Sequence, residues 1–272
     1  MAGTTRPLST TLKYPTMKES PQVAPYFNIY RPSDLAVTGE PFPVVAWANG
    51  GCVRGDDSWI SMFERWAGTG IVVLALTASP TGTLFDMSTV DDQRGLVDWI
   101  VAENAKESSP YFGKLDTSRI AAAGNSCGAV TALQLAAMDS RVSSVFVLSG
   151  GSQLPGATDD EIKSVVTKTK APVIYIEGSE DDVSRAPSEH EYDLYDPSHP
   201  VAYVTRSTGD HPTISADPAV LVDAAEITLN WFDLSFWGNK KALDVLMSKT
   251  VCETCMDGVW TMKSKNLETL VR

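Results

Sequence analysis

The sequence predicts an α/β fold: a mostly parallel, twisted sheet with helices on both faces and no large lid domain. Three observations carry that prediction. Short β-branched or aromatic runs alternate along the chain with segments of helical length and helical apolar spacing. One strand-to-helix junction, Gly124-Asn125-Ser126-Cys127-Gly128, sets a serine between glycines two residues before and two after it. At 272 residues with 43% hydrophobic and 21% charged content, the chain can bury a substantial core and suits one domain. Residues 1–272 are therefore read as one unit, with a polar lead over 1–22 and a cysteine-bearing tail over 239–272.

The elements follow in order. After the lead, Tyr26 to Tyr30 reads as an early strand ended by Arg31-Pro32, and Phe42 to Ala48 as a stronger one that runs into Asn49-Gly50-Gly51-Cys52. Ser58 to Trp66 suits a helix, and Ile71 to Leu76 (IVVLAL) a fully buried strand. A Thr-, Ser-, Pro- and Gly-rich loop follows over 77–83. Val90 to Asn104 is predicted helical, with Leu96, Val97, Trp99 and Ile100 inward. Arg119 to Ala123 is a short buried strand, and Ala129 to Met138 (AVTALQLAAM) an apolar helix of good helix formers. Strands are predicted at Val142 to Leu148, Pro172 to Ile176 and Val201 to Thr205. The last long helix is Pro218 to Phe236, with Leu221, Val222, Ala225, Ile227, Leu229, Trp231 and Phe232 mostly toward the sheet.

Formal net charge is −12 and the pI is near 4.7, a balance that repels nucleic acid. No apolar run reaches the length of a membrane span, and the first twenty residues lack the apolar stretch of a signal peptide. No internal repeat or low-complexity tract is present.

The chemistry gathers around Ser126. A serine at the apex of a sharp turn needs small residues beside it, because side chains there collide with neighbouring backbone. Of the three histidines, His190 and His199 precede the last predicted strand in a polar, proline-bearing stretch. His211 follows that strand in Ser207-Thr208-Gly209-Asp210-His211-Pro212, where a loop would carry a base to Ser126. Four carboxylates, Glu177, Glu180, Asp181 and Asp182, crowd the loop after the preceding strand. Apart from the one that serves as acid, most of them are expected to be solvated.

With these residues in this order, the chain resembles the α/β-hydrolase superfamily, whose serine sits in a G-x-S-x-G elbow and is followed by its acid and then its histidine. The likeness runs from Phe42 to the C-terminal helix. It is nearest to small secreted microbial esterases of cutinase-like and dienelactone-hydrolase-like type, through Ala48-Asn49-Gly50-Gly51-Cys52 and through Cys252-x-x-Cys255 ahead of Trp260 to Asn266. The chain departs from dienelactone hydrolases in carrying Ser126 where they have cysteine, and from haloalkane dehalogenases, whose nucleophile is aspartate. The resemblance implies Ser126 as nucleophile, His211 as base and Asp181 as acid, with Asp182 the runner-up. Its acid loop is similar to Gly178-x-x-Asp181. The implied oxyanion donors are the backbone N–H groups of Cys127 and of Gly51, with Cys52 close behind.

The implied activity is hydrolysis of carboxylic esters through an acyl-enzyme. Peptidase or acyltransferase chemistry uses the same triad, and a catalytically silent binding module uses the same fold. Only residues 149–171 separate two of the strands, too few for a large helical lid, so an open site for soluble or polymeric esters is expected. Trp47, Trp59, Phe85 and Tyr195 are candidates to line it, against ordinary packing. No cofactor and no metal is implied. Cys252 and Cys255 lack the second ligand pair of a structural zinc site and the position of a thioredoxin-like pair, which leaves a local disulfide or two thiols. On this fold Cys52 and Cys127 both flank the oxyanion site, within reach of a bridge. Two disulfides would accord with secretion as a mature form; a cytoplasmic location is the alternative.

Overall fold

The computed structural model describes residues 12–21, 26–77, 87–153 and 156–272. Most of the lead, the 78–83 part of the predicted loop and Phe85 lie outside the described residues.

Nine described strands form one sheet: β1 (Thr16–Glu19), β2 (Phe27–Pro32), β3 (Phe42–Ala48), β4 (Val72–Leu76), β5 (Leu115–Asn125), β6 (Val142–Leu148), β7 (Val173–Gly178), β8 (Val201–Arg206) and β9 (Trp260–Lys265). Their spatial order is β1-β2-β4-β3-β5-β6-β7-β8-β9. The strands from β4 across to β8 pair in parallel, while β1, β2 and β9 add antiparallel edges. The central strands are buried on both faces, which explains their near-continuous apolar runs.

Among the described residues eight α-helices accompany the strands: α1 (Ile60–Thr69), α2 (Val90–Ala105), α3 (Cys127–Met138), α4 (Asp159–Lys168), α5 (Arg185–Leu194), α6 (His211–Ala216), α7 (Pro218–Trp237) and α8 (Lys240–Leu246). One apolar cluster joins α1, α7 and α8 to one face of the sheet through Trp66, Phe146, Trp231 and Phe232. The other joins α2, α3 and α4 to the opposite face through Leu96, Ile100, Leu133, Val145 and Val166. Helix starts are marked in the sequence: Thr89 and Asp92 form a reciprocal capping box at α2, and Thr158 and Glu161 do so at α4. Asp217 caps α7 ahead of Pro218, and Gly238, at φ 67°, ends it in the left-handed conformation.

Several expectations need correction. Val222 on α7 is 40% exposed and does not face the sheet. Trp99 on α2 does turn inward, half-buried against the core with its ring edge-on to Phe27 and Tyr111. The polar stretch holding His190 is helix α5, whose buried face is Ser188, Glu191 and Tyr192. Part of the lead is strand β1. The tail supplies edge strand β9, and there Lys265 Nζ donates to the carbonyls of Tyr192 (2.9 Å), Asp193 (3.1 Å) and Tyr195 (2.8 Å). A cation is favourable at that helix end, where α5's last carbonyls point outward.

Candidate active site

β5 delivers Ser126. Its backbone, at φ 50° and ψ −115°, lies in a conformation that L-residues avoid. Packing around the turn holds it there. A Cβ on Gly124 would run into the Gly128 carbonyl, and one on Gly128 would run into the Ala48 carbonyl at the end of β3. These two positions admit only glycine because backbone meets backbone. The Ser126 N–H donates to the Leu148 carbonyl (2.9 Å), and Asn125 Nδ2 donates to the same oxygen (3.0 Å). β6 thereby anchors the turn.

His211 Nε2 lies 3.0 Å from Ser126 Oγ, and its Nδ1 lies 2.8 Å from Asp181 Oδ2. Asp181 Oδ1 accepts backbone N–H bonds from Val183 and Ser184, both at 2.9 Å. Burial opposes charge on Asp181, but the His211 bond and the Ser184 backbone and side-chain bonds outweigh it and hold the carboxyl down to about 2. His211 opens helix α6, where the sequence suggested plain loop, and the Asp210 cap accepting the Thr213 N–H fixes that start.

The other candidates sit elsewhere. Asp182 is exposed. His190 is exposed on α5 and pairs with Asp159 at 3.0 Å, while half-buried His199 stacks on Tyr195. Of the four carboxylates in the acid loop, Glu177 breaks the expectation of solvated charge: it is 0% exposed. Burial, reinforced by the negative charge of Asp181, pushes its carboxyl up to about 8. Sequence reasoning missed it, because a carboxylate that ends the apolar run VIYI reads like the solvated ones that follow it.

Gly50-Gly51-Cys52 forms a tight 3-10 turn after β3, with Gly51 at φ 63°. Gly50 makes the close approach to the elbow, since a Cβ there would strike the Asn125 side chain. Asn49 is a buried strut. Its Oδ1 accepts from Trp47 Nε1 (2.8 Å), and its Nδ2 donates to the carbonyls of Leu76 (2.8 Å) and Val53 (3.3 Å). A disulfide joins Cys52 to Cys127 with Cα atoms 5.1 Å apart, so the turn is tied to the first residue of α3. A second joins Cys252 to Cys255 with Cα atoms 5.2 Å apart. Asp223 comes near this pair, its ligand atom and the two sulfurs all within 4.8 Å of one another, but both sulfurs are taken by the bridge.

A small open cleft at Ser126 is lined by Val130, Gly150, Gly151, Gln153, Val183 and Pro187. Trp47, Trp59 and Tyr195 do not line it; all three are buried in the core, and Phe85 lies outside the described residues. Among the described residues no part of α4 borders the cleft, whereas Gly150, Gly151 and Gln153 ahead of that helix form one of its walls.

A family model described as PET hydrolase-like matches residues 28–242. The chain belongs to the PETase family. That match runs from β2 to α8 and takes in the elbow, the acid loop and His211, leaving β1 and β9 outside it. Comparison with curated proteins found no match. In PETase-family terms the chain is a hydrolase on an α/β-hydrolase fold, in keeping with the cutinase-like resemblance of its sequence. Among the described residues no helix is long and apolar enough to cross a membrane.

Proposed function

We propose that this protein is a serine carboxylesterase that cleaves polymeric or bulky esters through an acyl-enzyme. The observation that carries the reading is the unbroken line from Ser126 Oγ through His211 to Asp181, at 3.0 and 2.8 Å, inside a PET hydrolase-like chain.

In the proposed cycle His211 Nε2 takes the Ser126 proton as Oγ attacks the ester carbonyl. Asp181, ionised throughout the working range, orients the imidazole and stabilises the imidazolium. The carbonyl oxygen becomes an anion between the N–H groups of Cys127 and Gly51. Collapse breaks the C–O bond, and His211 returns the proton to the leaving alcohol. Water then attacks the acyl group with His211 again as base, releasing the acid and restoring Ser126. The small open cleft, walled by Val130, Gly150, Gly151, Val183 and Pro187 together with Ser149 and Gln153, favours a chain segment laid across the surface over a small molecule enclosed on all sides.

Residues 1–272 act in this reading as one catalytic unit in which the β9 tail completes the sheet. The two disulfides and the family favour an extracellular enzyme. Hydrolysis of a short-chain p-nitrophenyl ester and of an insoluble polyester film, by wild type and Ser126→Ala, tests the reading. Turnover of both substrates, abolished in the variant, supports it. Turnover that survives the substitution refutes it.

A further inference from the structure

Glu177, on β7, sits directly behind the candidate triad and is used by none of the steps above. Its Oε1 accepts the Gly150 N–H at 2.8 Å, and its Oε2 lies 2.9 Å from Ser184 Oγ. The same Ser184 hydroxyl lies 2.8 Å from Asp181 Oδ2 and 3.4 Å from His211 Nδ1. His211 Nδ1 already faces Asp181 Oδ2 at 2.8 Å, so its hydrogen is engaged there.

Counting hydrogens restricts the arrangement. A serine hydroxyl has one hydrogen to donate, yet Ser184 sits at bonding distance from two carboxylate oxygens. With both carboxyls ionised, one of those contacts has no hydrogen in it. Both are filled when Glu177 is protonated and donates to Ser184 Oγ, and Ser184 donates to Asp181. The surroundings agree. Among the described residues no cation pairs with Glu177. The titratable groups around it are Asp181 in the loop that follows β7, His211 on α6 through Ser184, Tyr203 on β8, and Arg185 and Glu191 on α5. Of these, Arg185 turns to the Ser179 carbonyl, and Glu191 is engaged by Ser152 and Tyr175. Burial and the Asp181 charge push the Glu177 carboxyl up, toward the neutral form.

We propose that Glu177 and Ser184 are positioning residues, with a proton held on Glu177 that lets Ser184 donate to Asp181 and so fixes the acid behind His211. The assignment rests on the serine-hydrolase reading. The other Glu177 oxygen braces the nucleophile: Gly150, which it holds, packs so closely against the Ser126 backbone that a Cβ would meet it. One carboxyl thus ties down both ends of the Ser126–His211–Asp181 line. When Glu177 ionises, it draws the single Ser184 hydrogen to itself, and Asp181 loses a donor and gains a buried anion beside it. Glutamine at 177 reproduces the protonated arrangement, its NH2 donating to Ser184 and its carbonyl accepting from Gly150.

The test is the rate of Ser126 labelling by a fluorophosphonate, with kcat/KM for p-nitrophenyl acetate, from pH 6 to 10 in wild type, Glu177→Gln and Ser184→Ala. Wild type is expected to lose about fivefold or more in both rates across a step near pH 8, the value of the Glu177 carboxyl. Glu177→Gln should show no such step. Ser184→Ala should be about tenfold slower at pH 7 and also lack it, which keeps the idea testable if the Gln variant fails to fold. Superimposable wild-type and variant profiles in labelled, active protein overturn the role of Glu177 alone. Absence of labelling and turnover at every pH in folded wild type overturns the nucleophile reading, and this assignment with it.

Discussion

Cys52 and Cys127 are bridged with their Cα atoms 5.1 Å apart, and the bond joins the two segments that carry the proposed oxyanion donors. Further bonds hold the same turn: the Cys52 carbonyl accepts from the Ser88 N–H at 2.8 Å, and the neighbouring Arg54 pairs with Asp92 on α2 at 2.8 Å. Breaking the disulfide should therefore loosen donor placement more than substrate binding. The double variant Cys52→Ser/Cys127→Ser is expected to lower kcat about 10- to 100-fold, short of the loss typical when a whole oxyanion donor is removed, with KM changed less. The bridge closes a loop of sequence separation 75, so chain-entropy reasoning assigns it about 4 kcal/mol of stability. Steady-state kinetics and chemical denaturation of the variant check both parts.

The acid of the line is predicted to be Asp181 and not its neighbour. Asp181→Asn should reduce kcat by roughly 10³- to 10⁴-fold by imposing the wrong imidazole tautomer. Asp182→Asn, at an exposed position outside the hydrogen-bonded line, should stay within about twofold of wild type. Equal losses in the two variants would reassign the acid.

Glu177 has a consequence for stability versus pH that is independent of turnover. Its carboxyl ionises near 4.5 in the unfolded chain and near 8 in the folded one. Between those values the unfolded state binds fewer protons, so stability falls as pH rises, by up to about 1.4 kcal/mol per pH unit. Asp181 has the opposite sign. Its carboxyl is depressed to about 2 in the fold, so its contribution is present above the ordinary value of 3.8 and is lost as pH falls toward 2. Melting temperatures from pH 4.5 to 8 should show Glu177→Gln gaining steadily on wild type. A constant offset would show that the group does not change its protonation on unfolding in that window.

Asn49→Ala should destabilise the protein by about 2–3 kcal/mol, because it strands the buried Trp47 indole N–H and the Leu76 carbonyl. Asn49→Asp should fare no better, since a carboxylate cannot donate to Leu76. Urea midpoints of the two variants test this.

The sheet was legible wherever apolar runs were continuous. Phe42 to Ala48 and Val142 to Leu148 are strands with the predicted bounds, and the elbow's strand and helix lie where its glycines require. α5 was illegible because its buried face is polar. Ser188 bonds the Tyr203 hydroxyl at 3.0 Å and Glu191 bonds Tyr175, so no apolar period exists to read. β9 hid for a related reason: an edge strand with two lysines buries chiefly Trp260 and draws its stability from pairing with β8. At the site, the order of Ser126, acid loop and His211 was readable along the chain. Glu177 was not, because in sequence a buried carboxyl at a strand end looks like the solvated ones after it. Only the packing of Gly150 and Ser184 against it separates them.

The most direct test of the central claim is to trap the acyl-enzyme. Wild type mixed with a slowly deacylating p-nitrophenyl ester, quenched in acid within the burst and digested, should carry the acyl mass on the peptide containing Ser126, with release of one equivalent of p-nitrophenol. Steady turnover with no acyl adduct, or with the adduct on another residue, would contradict the account.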